Sequence, residues 1–149
     1  MADVMVDLAA FRPAGTEPAE HVLADATSSG ETVTSEAKLA QRVILELLTE
    51  KQSMPFLSRR GTSLLSRLRS GQIRTEHDLF VAYAVAALDV SRNLRSEDAS
   101  TDDPSSRYAG SRLRGLRLDT GSGLAELTIE ITSKAGIKNV IYLPINVRL

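Results

Sequence analysis

The apolar residues of this chain change their spacing once, and that change limits what it can fold into. Up to about residue 95 they recur every three or four positions, the period of a helix. From about residue 112 they recur every second position, the period of a strand. The stretch SEDASTDDPSSRYAGS (96–111), polar and carrying Pro and Gly, separates the two regimes. Helices first and strands after is an α+β order: a three-helix core, then a C-terminal antiparallel β-hairpin or small sheet.

Three helices are expected over 34–95. In TSEAKLAQRVILELLTEK (34–51), Leu39, Val43, Leu47 and Ala40, Ile44, Leu48 form an apolar face, with Thr34 or Ser35 as the cap. Pro55 forbids simple continuation. Thr62–Arg69 fits a short second helix, with Leu64, Leu65 and Leu68 on one side and Gly71 to end it. The third, TEHDLFVAYAVAALDVSRNL (75–94), opens on Thr75 with Asp78 three residues later, the signature of a capping box. It is apolar nearly all round, so it is expected to be the central helix, buried by the other two.

Past the connection, RLRGLRLD (112–119) reads as a strand. LAELTIEIT (124–132) puts Leu127, Ile129 and Ile131 on one face and Glu126, Thr128 and Glu130 on the other. SKAG (133–136) suits a hairpin turn. IKNVIYLPINVRL (137–149) then places Ile137, Ile141, Leu143, Ile145, Val147 and Leu149 on one face, and Pro144 marks its outer side as an edge. Thirteen residues at ~3.3 Å each reach roughly 40 Å, more than a small bundle covers. Such a strand is expected either to project or to be completed by another chain.

Residues 1–36 hold seven acids against one base, Arg12. With few large apolar residues, most of 1–33 is expected to be an extended, flexible or docked arm; VMVDLAAF (4–11) is the part apolar enough to dock. Residues 34–149 form the single domain.

The chain has no cysteine and two histidines, His21 and His77, far apart. Thiolate chemistry and disulfides are excluded, and a histidine metal site within one chain is disfavoured. No signal peptide is visible, and the longest apolar run, Leu79–Leu88, is too short to span a bilayer. Carboxylates can be paired as Glu46 with Glu50, or Glu76 with Asp78, but neither spacing marks a hydrolytic cleft. Gly121 and Gly123 precede a strand, which makes them a turn and not a phosphate loop. No cofactor and no catalytic residue is expected.

The other constraint is charge. Between Lys51 and Thr75 lie one lysine and five arginines, Arg59, Arg60, Arg67, Arg69 and Arg74, with no acid, in a chain of net charge −1. Nucleic acid could meet them, although the buried third helix offers little polar surface to a groove. A protein partner is the stronger reading, since the guanidinium pairs with carboxylates while its stem packs on apolar surface.

Two stretches, LLTEKQSMPFLSRRGTSLL (47–65) and SRLRGLRLDTGSGLAELTIEITSKAGIKNVIYLPI (111–145), carry a resemblance. In the first, a helix ending at Leu-Leu-Thr leads through a loop to Gly-Thr opening a short helix; the second supplies closing strands. In this order they resemble the sheath-initiator baseplate proteins of contractile phage tails, historically labelled lysozyme-like, with relatives in type VI secretion and phage-like injection baseplates. The likeness covers 34–149. It implies a structural, non-enzymatic protein present in six copies around the tail, in contact with tail tube, baseplate wedge and tail sheath proteins. The implied location is the virion baseplate, and the host cytoplasm during assembly; no membrane or small-molecule substrate is implied. In that family the terminal hairpin accepts extended arms of the first sheath subunits as added strands, and so templates sheath polymerisation.

Carried onto this chain, sheath docking falls to the hairpin residues Leu127, Ile129, Ile131, Ile141, Leu143, Ile145 and Val147. The basic patch Arg59, Arg60, Arg67, Arg69 and Arg74 would face tube or wedge. The family's Glu-Pro-Arg motif after the third helix is missing; DVSRNLRSED (89–98) stands there, leaving Arg92 and Arg95 as possible wedge contacts. The competing functions are a nucleic-acid-binding accessory protein using the Arg59–Arg74 segment and a lysozyme-like hydrolase.

Overall fold

The computed structural model describes residues 3–6, 12–13 and 35–148. Expectations that fall on residues 1–2, 7–11, 14–34 and 149, including the Thr34 cap and Leu149 on the last strand, lie outside the described residues.

The fold is α+β. Helix α1 spans Ser35–Leu48, α2 Leu64–Arg69 and α3 Glu76–Glu97. A short 3₁₀ turn over Pro104–Ser106 leads into the strands β3 (Tyr108–Asp119), β4 (Leu124–Ser133) and β5 (Lys138–Arg148). Two segments ahead of the helices are also strands, β1 (Asp3–Val6) and β2 (Arg12–Pro13). The closing element is the expected small sheet, a three-stranded antiparallel meander, with β1 and β2 added along its far edge.

The capping box at α3 forms as the spacing predicts. Thr75 accepts from the Asp78 N–H, and the Asp78 carboxylate accepts from the Thr75 N–H. Those bonds, first the one from the Arg74 N–H, hold the Asp78 carboxyl below the usual carboxylate range.

One apolar core joins helices and sheet. Leu39, Val43 and Leu47 of α1, Leu64 and Leu68 of α2, and Leu79, Ala82, Ala86, Val90 and Leu94 of α3 pack with the inner face of the strands. Period-2 spacing decides which strand residues join them: Ala125, Leu127, Ile129 and Ile131 of β4, and Ile141, Leu143 and Ile145 of β5, are all buried. Register pairs Leu127 with Leu143 and Ile129 with Ile141. Ile137 is not on that face; it sits exposed between Gly136 and the start of β5.

The third helix departs from the expectation that it is buried all round. Phe80, Val81, Val85 and Leu88 are exposed. One side of α3 meets α1 and the sheet, and α2, only six residues long, is too short to cover the other.

The last strand also departs from expectation. Its outer edge is paired within the chain, because the chain's own N-terminal segment lies along it. β1 pairs antiparallel with β5 in the register Asp3↔Arg148, Val4↔Val147, Met5↔Asn146, Val6↔Ile145. β2 continues on the same side as Arg12↔Tyr142 and Pro13↔Ile141. Between these two described ladders stands Pro144, which has no N–H to donate.

Candidate functional site

The sheet has two edges, and they are built differently. On β3 the ladder with β4 is irregular between Tyr108 and Gly110 and again between Leu113 and Gly115. Arg112, Arg114 and Arg117 stand exposed along it. Irregular pairing and charge are both devices that discourage strand addition. β5 has no such protection on its outer side apart from Pro144, and it is the edge that receives extended segments.

The seven hairpin residues assigned to docking share this sheet, and six of them do not offer side chains to a partner. Leu127, Ile129, Ile131, Ile141, Leu143 and Ile145 all face the core with at most 1% exposure. Val147 lies in β5 opposite Val4. What β5 can offer a partner is therefore its outer backbone together with the opposite face of the sheet. On that face Tyr142 donates to Glu126, and Glu130 is covered by Arg114 at 2.7 Å and Lys138 at 3.8 Å.

The arginine segment is less uncompensated than its local sequence indicates, because acids from α1 and α3 reach it. Glu46, 2% exposed, is the hub: it accepts from Arg60 Nη2 at 2.6 Å, from the Gly61 N–H at 2.8 Å and from Asn93 Nδ2 at 2.6 Å. Arg60 Nη1 also donates to Glu97 at 2.8 Å. Burial disfavours the Arg60 charge, but Glu97 and Glu46 outweigh it and its pKa is raised. Arg69 pairs with Glu50 at 2.7 Å.

The loop closes against α1 through two backbone bonds, Thr62 N–H to the Thr49 carbonyl at 2.7 Å and Lys51 N–H to the Thr62 carbonyl at 3.2 Å. Gly61 sits between them at φ +88°, and a Cβ there would lie 2.4 Å from the Thr49 carbonyl oxygen. Only glycine fits.

Of the five patch arginines, Arg60 and Arg69 thus hold the domain together, while Arg59 and Arg74 are exposed and Arg67 is half-buried. Arg92 pairs with Asp89 on its own helix, and Lys51 reaches the same carboxylate at 2.7 Å. Arg95 donates to the Ala109 carbonyl at 2.7 Å and lies over the Tyr108 ring.

Of the candidate carboxylates, Glu46 and Glu50 bind arginines and Asp78 is a cap, with Glu76 exposed in the same turn. Among the described residues no group of three or more His, Asp or Glu side chains is placed to hold a metal ion. No helix among them is long and apolar enough to cross a membrane.

Sequence reasoning missed Glu46 as the organiser of the loop. The signal was present as an acid flanked by Leu45 and Leu47 on the helix whose apolar face is core. It also left open where the apolar N-terminal segment docks. No family model, curated protein or solved structure matches the chain.

Proposed function

We propose that this protein is a structural subunit of a contractile-tail baseplate that initiates the sheath, its β5 edge accepting extended arms of sheath subunits by β-augmentation. Main-chain hydrogen bonds supply the affinity in such a contact, and the pleat fixes the register. The observation that carries the reading is the pairing of β1 and β2 along β5: this edge takes up extended segments even within its own chain. In the assembled tail a sheath arm takes the place of residues 3–6 and 12–13. The subunit stands in six copies around the tube, with Arg59, Arg67 and Arg74 toward tube or wedge and Arg92 and Arg95 near wedge neighbours.

The test uses the absence of cysteine. Met5 and Asn146 face each other in register, so Met5→Cys with Asn146→Cys closes the arm onto β5 by an oxidisable bridge. Tails assembled with the oxidised variant are expected to carry baseplates and bare tubes in electron micrographs, and reduction is expected to restore sheathed tails. Full sheathing in the oxidised form would sink β5 as the template. Arg60 is unsuited to a charge-reversal test, because its loss would unsettle Glu46 and not only a docking surface. Duplex-DNA affinity that falls steeply with salt would instead favour the nucleic-acid reading.

A further inference from the structure

The outer face of α3 exposes Phe80, Val81, Val85 and Leu88, and no element among the described residues covers them. Val81, Ala84, Val85 and Leu88 follow one another at helical spacing along one side, with Leu88 72% exposed. From Val81 to Leu88 the stripe is ~10 Å long. Phe80 flanks it.

The two ends of the stripe differ in charge. The first turn of α3 carries Glu76 and Asp78, with His77 in line with Val81. The far end carries Arg92, joined by Lys51 and Arg59 around a groove of about 640 Å³ whose wall includes Phe56 and Leu57. Phe56 is 96% exposed.

We infer that this face is a two-fold interface on which a second copy of the chain lays its own α3 antiparallel. An isologous contact must be complementary to itself, and a stripe that is acidic at one end, apolar in the middle and basic at the other meets that condition. With the axis near Val85, each Val81 meets the second copy's Leu88, and Ala84 leaves room for close approach of the helices. Each Arg92 comes to the other copy's His77 and Asp78. Phe56 and Leu57 then cover the first turn of the opposing helix. The two helix dipoles run opposite ways, which adds to the fit. An anionic lipid surface suits the face less well, since Glu76 and Asp78 would be repelled. The inference does not depend on β5 as the sheath template, because that edge takes no part in it, but it gives Arg92 and the groove beside Arg59 to the second copy in place of a wedge neighbour.

Sedimentation equilibrium of the full chain across the micromolar range tests it. The wild type is expected to approach twice its 16.1 kDa mass. Leu88→Arg, at an exposed position, is expected to keep the wild-type circular dichroism and raise the dimer dissociation constant at least ~100-fold. Arg92→Glu is expected to raise it about tenfold, and His77→Lys added to Arg92→Glu to recover most of that loss. A wild type that stays at the mass of one chain throughout would overturn the inference. So would a dimer indifferent to Leu88→Arg, or an Arg92→Glu defect that His77→Lys leaves uncorrected.

Discussion

At the scale of single residues, the loop between α1 and α2 hangs on Glu46. Glu46→Ala would leave the Gly61 N–H, the Asn93 amide and half of the Arg60 fork without their acceptor in a buried site. Removing one partner of a buried, hydrogen-bonded charge costs roughly 3–5 kcal/mol, and urea denaturation is expected to show a loss of that size. Glu46→Gln keeps one acceptor oxygen and is expected to lose less. Tyr83 gives a second residue-scale expectation. Burial pushes its phenol up to about 12. A raised folded value means the neutral form is favoured by folding, so this stabilisation is complete below about pH 10, the unfolded value, and is lost as pH rises toward 12. It is worth on the order of 2 kcal/mol. Alkaline titration should show a tyrosinate fraction appearing together with loss of tertiary structure; a Tyr83 that ionises near pH 10 in the intact fold would contradict it. Such roles are poorly legible in a sequence. Glu46 looks like any helix-surface acid until its partners 14 to 47 positions away are known.

At the scale of elements, what was legible followed from local rules, and what was not depended on neighbours. The Thr75–Asp78 box, the turn at Gly136 and the inward set Leu127, Ile129, Ile131 need only spacing, and all stand as read. The burial of α3 needs the size of what surrounds it, and a two-turn α2 leaves Val81, Val85 and Leu88 uncovered. The fate of β5's outer edge needs a segment more than a hundred residues earlier, whose apolar character was visible but whose docking position was not. Because that segment protects the edge, removal of residues 1–13 is expected to speed hydrogen exchange in Tyr142–Arg148 at amides directed away from β4. Amides of β4 should be unchanged, since their partners on β3 and β5 remain. Unaltered exchange along β5 would mean that the arm gives it no protection. The shortened chain is also expected to scatter more light, as an uncovered strand edge is a template for association.

At the scale of the whole molecule, two unlike surfaces stand apart: a sheet edge that takes extended backbone and a helical face that is apolar between charged ends. Of the arginine-rich stretch that looked like a docking surface, Arg60 and Arg69 instead tie the loop and α2 to the acids of α1 and α3 and of the turn after α1. The described pairing along β5 is two short ladders, β1 against Ile145–Arg148 and β2 against Ile141–Tyr142. In the language of strand exchange, short ladders are displaced a few bonds at a time. An incoming arm can release β2 and β1 separately, and the edge need never be bare before its new partner has begun to hold it.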